Sequence, residues 1–318
     1  MLRTSSMKAS SSPARPARFL RVAALAVFAA ASAVVLSACS PVKLVDRLTP
    51  DNTYIAESGI AYGVEPRQKL DVYQPLPARS AVVGQRPLIV FFYGGTWTSG
   101  DRGMYRFVGE ALASQGAIVV IPDYRLSPGV TYPVFVQDSA KAMKWGLDNA
   151  VRLGADPKRV FVMGHSSGGY NAAMLALDPR WLGEVGASPK QLAGWIGLAG
   201  PYDFLPMGDP DAQRAFNWPS TPRDSQPIHH VTAASPPALL MAASKDRLVD
   251  PVRNTEQMVR KLRAAGVRVE TKEFDDLSHV TLIGAVAKPI RWIGGPVVPP
   301  ILDFVGLAPE KARTASIQ

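Results

Sequence analysis

Cysteine is almost missing from this chain: Cys39 is the only one in 318 residues. Downstream of it there can be no intramolecular disulfide, no cysteine metal cluster and no cysteine nucleophile. Histidine is scarce as well, with four in all, His165, His229, His230 and His279, so any imidazole chemistry must come from these. Acidic residues are missing from the first 39 positions, which carry five of the 35 Lys and Arg: Arg3, Lys8, Arg15, Arg18 and Arg21. The formal charge of +9 therefore falls to +4 beyond residue 39, where 30 basic residues face 26 acidic ones. That is an ordinary solvated surface. With no basic cluster interleaved with aromatics, it argues against a nucleic-acid partner. No segment recurs at a fixed period, which excludes a solenoid. A hydrophobic share of 47% suffices for one sizeable core, and one globular domain is expected.

No N-terminal run is long enough to span a bilayer. A spanning helix needs about 20 apolar residues, and the apolar run Val22 to Leu36 has 15. A positive, Ser- and Pro-rich segment precedes it and the small-residue junction Leu36-Ser37-Ala38-Cys39 closes it. Residues 1–38 thus read as a secretory signal rather than a structural element. The tetrapeptide resembles the lipobox of bacterial lipoproteins. The resemblance implies that Cys39 is lipidated and becomes the mature N-terminus, with residues 39–52 as a tether and 53–318 as the folded domain. It further implies a bacterial cell-envelope protein held on a membrane through Cys39. In such lipoproteins a serine after the cysteine, here Ser40, goes with the outer membrane, facing the periplasm.

Eight strands are expected: 54–62, 69–74, 87–93, 117–124, 159–163, 195–200, 238–243 and 267–274. From residue 87 onward several are continuous runs of Val, Ile, Leu and Phe. Such runs imply burial on both faces, as in a parallel sheet covered by helices. Helical patterns fill the gaps at 104–116, 135–154, 166–177 and 252–266, and three of the four end at a glycine. The alternation predicts an α/β fold with a mostly parallel eight-stranded sheet flanked by helices. The segment 201–236 breaks the rhythm with seven prolines and is expected to form a stiff rim or cap inserted between two strands. A final helix is expected within 297–307.

Catalytic candidates gather in the loops at the carboxyl ends of strands, where open parallel sheets place functional groups. Gly164-His165-Ser166-Ser167-Gly168-Gly169 lies between a strand run and a helix run. Its flanking glycines suit a turn so tight that Ser166 projects its hydroxyl outward as a nucleophile. After the strand 87–93 comes GGTWTSGD (94–101). Here the amides of Gly95 and Thr96, with that of Ser167, are candidates for an oxyanion hole. After 238–243 come two aspartates. Asp250 precedes Pro251 and a helical pattern, as an N-cap would, which leaves Asp246 as the better orienting acid. His279, downstream of both, is the candidate base. Serine is a weak nucleophile until an imidazole takes its proton and a carboxylate fixes that imidazole's tautomer. Ser166, Asp246 and His279 supply these parts in the order Ser, Asp, His, which differs from the orders in chymotrypsin and subtilisin. No metal site and no organic cofactor is expected.

The ordered set YGGTW (93–97), DYRLSP (123–128), GHSSGG (164–169), KDRLVD (245–250) and DLSH (276–279) resembles the α/β-hydrolases of the esterase/lipase group. The resemblance runs over roughly 54–305 and lies near carboxylesterases related to hormone-sensitive lipase and near feruloyl-esterase-like and kynurenine-formamidase-like hydrolases. It implies an α/β-hydrolase fold, Ser166 as nucleophile, Asp246 as acid, His279 as base, and an oxyanion hole at Gly95 and neighbouring amides. It also implies a small-molecule ester as substrate, cleaved through an acyl-enzyme. Two alternatives are an amidase or formamidase using the same triad, and a catalytically silent envelope lipoprotein. One residue departs from the pattern: the family usually has histidine where this chain has Tyr93, a position that helps shape the oxyanion loop.

Overall fold

In a computed structural model of the chain, residues 45, 47–77, 85–288 and 295–307 are described. The expected signal, Cys39 and most of the first half of the tether lie outside the described residues. Eight strands form one sheet: β1 (Tyr54–Ala61), β2 (Lys69–Pro75), β3 (Arg86–Phe92), β4 (Ile118–Pro122), β5 (Ala155–His165), β6 (Gly194–Leu198), β7 (Ala238–Ala243) and β8 (Val269–Phe274). Their order across the sheet is β1-β2-β4-β3-β5-β6-β7-β8. β2 runs antiparallel to both its neighbours, and every pairing from β4 to β8 is parallel. The register sets β-branched residues side by side, for example Val90 between Val120 and Val162. β4, β6 and β7 are buried at every position, as their unbroken apolar runs predict. β8 at the sheet edge exposes Glu270, Thr271, Lys272 and Glu273, charges that discourage pairing with another chain.

The helices are α1 (Arg106–Ala113), α2 (Val134–Asn149), α3 (Ser167–Leu177), α4 (Pro179–Glu184), α5 (Pro210–Ala215), α6 (Gln257–Ala264), α7 (His279–Gly284) and α8 (Val298–Phe304). α3 is buried at all its positions, packed between the sheet and α2. It places the serine turn at the heart of the fold. One expectation is corrected: the helical pattern at 252–266 begins as a π-turn over Val252–Glu256 before α6. The proline-rich segment holds one short α-helix, α5, that the sequence pattern did not mark. Its start is explained locally: the Asp209 side chain accepts from the Ala212 amide at 2.8 Å, and Pro210 occupies the first turn.

The rest of that segment is tied down along its length. Asn254 accepts from the amides of Tyr202 and Asp203 at 2.7 and 3.0 Å, and Gln226 accepts from that of Phe204 at 2.8 Å. Tyr170 Oη donates to the Ser225 carbonyl at 2.7 Å, and Arg180 bridges Asp178 and Asp224. Phe216 is buried against Tyr132, Phe135 and Trp97. A segment fixed by buried hydrogen bonds and aromatic packing at so many points opens only at the cost of breaking several of them together.

Candidate active site

Ser166 ends the turn between β5 and α3 with φ 56° and ψ −126°. For a residue with a side chain this is a sparsely populated conformation, costing on the order of 1–3 kcal/mol. Two close approaches hold it. A Cβ on Gly164 would lie 2.0 Å from the Gly168 carbonyl oxygen, and one on Gly168 would lie 2.0 Å from that of Phe92. The flanking glycines are thus needed because backbone meets backbone there, and neither has a positive φ. The Ser166 amide donates to the Leu198 carbonyl at 2.9 Å, which fastens the turn to the neighbouring strand.

The structure brings the three candidates from separate strand ends into one hydrogen-bonded path. His279 Nδ1 lies 2.6 Å from Asp246 Oδ2, and His279 Nε2 lies 2.8 Å from Ser166 Oγ. Burial by itself would push the Asp246 carboxyl up. The hydrogen bond and charge of His279, with the Val249 and Leu248 amides, outweigh it and hold the carboxyl below its ordinary value. An ionised carboxylate only accepts, so Nδ1 carries the imidazole proton and Nε2 is free to accept from the serine hydroxyl. The Asp246 and His279 side chains are 1% and 8% exposed, so water competes little for either bond.

Three details differ from the expectations. His279 is the first residue of α7, capped by Ser278, whose hydroxyl accepts from the Thr281 amide; it does not lie in an open loop. Asp246, like Asp250, serves a local turn: Asp246 Oδ1 accepts from the Leu248 and Val249 amides at 2.9 Å each, and Asp250 Oδ1 from those of Val252 and Arg253. Only the second oxygen of Asp246 reaches the histidine. His165, the neighbour of Ser166 expected to point elsewhere on the turn, does not point away from the site. It is buried, its Nε2–H donates to the His279 carbonyl at 3.1 Å, and the two rings lie 4.9 Å apart. Burial first, then the neighbouring His279, lower its pKa to about 3, and among the described residues no hydrogen-bond partner reaches its Nδ1. Nothing local in the sequence marks that contact, which spans 114 positions.

The loop after β3 lies against the serine: a Cβ on Gly94 would sit 2.8 Å from Ser166 Cβ. Gly95, Thr96 and Trp97 all have positive φ, at 136°, 51° and 58°. Among the described residues the amides of Gly95 and Thr96 have no hydrogen-bond acceptor. The Ser167 amide, first in α3, has none within its helix. Unpaired donors of this kind beside a serine hydroxyl are the groups a developing oxyanion would need. Trp97 anchors the loop through Nε1–H to Asn171 Oδ1 at 3.1 Å and by packing on Phe135, Tyr170, Phe204 and Phe216.

A cavity of about 300 Å³ opens at Ser166, Ser167, Thr96 and His279. Trp97, Phe204, Met207, Leu248 and Val249 give it apolar walls, and Asp203, Asp250 and Arg253 add charge. Pro201, Pro206, Gly208, Asp209 and Ala212 also line it, so the first part of the proline-rich segment forms its rim. No group of three or more His, Cys, Asp or Glu among the described residues is arranged to hold a metal ion.

Comparison with known proteins points the same way as this geometry. The chain is 29% identical to esterase LipC of Mycobacterium tuberculosis over 66% of this chain and 56% of that protein. It is 40% identical to carboxylesterase NlhH of the same organism, over 32% of each chain. It thus spans little more than half of the first relative and a third of the second. In fold it resembles esterase B from Lactobacillus rhamnosis, with a TM-score of 0.70 and 20% identity over 92% of this chain and 99% of that one. A family model described as the alpha/beta hydrolase fold matches residues 89–283, a stretch that runs from β3 through His279. The chain belongs to the α/β-hydrolase fold family.

Proposed function

We propose that this protein is a serine esterase that cleaves small, dissolved carboxylic esters through an acyl-enzyme. The observation that carries the reading is the continuous path Asp246–His279–Ser166, with links of 2.6 and 2.8 Å, opening into an apolar-walled cavity. In this reading Ser166 Oγ attacks the ester carbonyl while His279 Nε2 takes its proton, and Asp246 stabilises the imidazolium that results. The carbonyl oxygen becomes an oxyanion that accepts from the amides of Gly95, Thr96 and Ser167, each such donor being worth about 2.7–4 kcal/mol of barrier. His279 returns the proton to the departing alcohol, leaving the acyl group on Ser166. Water, deprotonated by the same imidazole, then releases the acid and restores the serine.

The tied-down rim supports a preference for short acyl groups, because a lid that opens at an oil surface needs a mobile helix with a wide apolar stripe. The only α-helix of that segment, α5, has six residues. The N-terminal pattern of the sequence supports export and lipidation at Cys39, with the hydrolase domain carried on a tether in the cell envelope. The test is fluorophosphonate labelling of the purified mature protein, followed by a panel of p-nitrophenyl esters, amides and N-formylkynurenine. Labelling lost in a Ser166→Ala variant, with turnover of esters, is the expected result. Absence of labelling excludes the reaction, and turnover confined to the amide or the formyl compound would move the protein to the amidases.

A further inference from the structure

The loop that carries the oxyanion donors is held in a costly backbone conformation, and one arginine from outside the site holds both of its ends. Thr96 and Trp97, neither of them glycine, have positive φ, and Gly95 and Gly100 do as well. Within the loop the turn is closed by only two backbone bonds, from the Thr98 and Ser99 amides to the Gly95 carbonyl, both 3.0 Å. Strain of this kind persists only where surrounding groups over-determine the geometry.

Arg67 supplies that restraint from the connection between β1 and β2. Its Nη2 donates to Tyr93 Oη at 2.8 Å, at the start of the loop, and to the Gly100 carbonyl at 2.9 Å, at the end. Its Nε donates to the Tyr124 carbonyl at 2.8 Å, and Tyr124 Oη in turn donates to the Tyr93 carbonyl at 2.8 Å. Tyr93 is fully buried and its hydroxyl donates in turn to Asp123 Oδ1 at 2.8 Å. Asp123 is held by the Arg102 amide and guanidinium, and Arg102 by Asp71. The two loop ends also touch directly: a Cβ on Gly100 would lie 2.6 Å from the Tyr93 ring. Burial and the neighbouring Tyr124 and Asp123 push the Tyr93 phenol well above its ordinary value, so it remains a donor. Neither Arg67 nor Tyr93 lines the cavity, so neither is placed to touch a substrate.

We infer that Arg67, acting through Tyr93, is a positioning residue for the oxyanion hole: its guanidinium spans the loop from Tyr93 to Gly100 and sets where the Gly95 and Thr96 amides point. The inference rests on the esterase reading above and adds to it a requirement that the serine, histidine and aspartate do not impose. Loosening the span leaves Ser166 and His279 in place and costs stabilisation only where the negative oxygen develops. That loss falls on kcat and leaves KM unchanged, because ground-state binding does not use the hole.

The experiment compares wild type with Arg67→Met, Arg67→Lys and Tyr93→Phe. Arg67→Met keeps the apolar stem of a side chain that is about one-third exposed, and Tyr93→Phe keeps the stacked ring. The readouts are kcat and KM on p-nitrophenyl butyrate, thermal melting, and inhibition by an alkyl trifluoromethyl ketone. In that inhibitor Ser166 Oγ bonds to the ketone carbon, the serine proton passes to His279, and the oxyanion occupies the hole. Arg67→Met and Tyr93→Phe are each expected to lower kcat by roughly 10- to 100-fold, up to the scale of a misplaced group and below that of a donor lost outright. The inhibition constant should rise in the same proportion, at unchanged KM. Their double variant should cost less than the product of the two single losses, since the Arg67–Tyr93 bond is lost in both, and Arg67→Lys should restore part of the loss. Folded variants with wild-type kcat and inhibition constant, or a loss confined to KM, overturn the inference while leaving the esterase reading intact. If Tyr93→Phe fails to fold, Arg67→Met decides alone. A wild-type protein with no ester turnover overturns the esterase reading and this inference with it.

Discussion

His165 gives the fold an acid sensitivity that can be separated from that of Asp246. Its pKa falls from an ordinary 6.5 to about 3, chiefly because the ring is buried and secondarily because His279 lies beside it. A histidine held neutral in the folded state takes up its proton only on unfolding. Between the two pKa values the unfolded chain therefore binds more protons, and stability rises with pH. The stabilisation is complete above about pH 6.5 and is lost progressively as the pH falls toward 3. Each pKa unit corresponds to about 1.4 kcal/mol, so the 1.5 units between 6.5 and 5 amount to about 2 kcal/mol lost on going from pH 7 to pH 5. The Asp246 carboxyl also titrates out of register with its unfolded value, but its depressed pKa keeps its window below the ordinary 3.8, outside this range. His229, lowered by burial and by Lys261 and Arg223, acts in the same direction and is common to both proteins compared below.

The perturbation is His165→Gln, which keeps a side-chain N–H for the His279 carbonyl and removes the titration. Urea unfolding followed by tryptophan fluorescence at pH 7 and pH 5 should show the wild type losing about 2 kcal/mol more than the variant over that interval. The two should lose equal amounts between pH 7 and pH 8. A variant that loses as much as the wild type between pH 7 and pH 5 would show that His165 is charged or exposed in the folded protein, and the assignment of its neutral tautomer would fall.

Ser166→Ala should abolish ester turnover while leaving the melting temperature at or above the wild-type value, since the glycine contacts and not the hydroxyl set the turn; turnover near wild type refutes the nucleophile. Asp246→Asn should lower kcat by about 10⁴, because an amide group facing His279 Nδ1 sets donor against donor and forces the other tautomer. Asp250→Asn should cost a few tenths of a kcal/mol at most, asparagine being as good a cap; steady-state kinetics giving the reverse ranking would move the acid to Asp250. Across p-nitrophenyl esters from acetate to palmitate, kcat/KM should peak at roughly two to six carbons, with no jump in rate as tributyrin passes saturation, since no mobile apolar lid is available. A sharp rise at that threshold would show that the rim opens. Cys39→Ala should move the protein out of the membrane fraction or leave its signal uncleaved, acyl chains contributing about 0.8 kcal/mol per buried methylene; wild-type protein recovered as free periplasmic material would refute the anchor.

What could be read from the sequence is what depends on near neighbours. β4 and β7 announce themselves as unbroken apolar runs, and the serine turn as glycines two positions either side of Ser166 between a strand and a helix. Where two local devices compete, the reading weakens. Seven prolines argue against helix between 201 and 236, yet Asp209-Pro210 is the same cap-and-proline pair as Asp250-Pro251, and α5 starts there. The choice of Asp246 over Asp250 leaned on Asp246 having no local role, whereas its Oδ1 accepts two amides. What separates the two aspartates is the other oxygen of Asp246, and the partner of that oxygen lies 33 positions away. Arg67 and His165 are the limiting cases. One is an arginine in a short polar connection and the other a residue beside the serine, and neither position has a periodicity, a spacing or a cap to mark it. Arg67 matters because β2 runs against its neighbours and brings the β1–β2 connection to the end of the sheet where β3 hands over to the loop 94–101. His165 matters because α7 presents a carbonyl to it across the whole second half of the domain. Such roles are made by strand order, and strand order is settled by pairing all eight strands in one sheet at once, a condition no short stretch of sequence records.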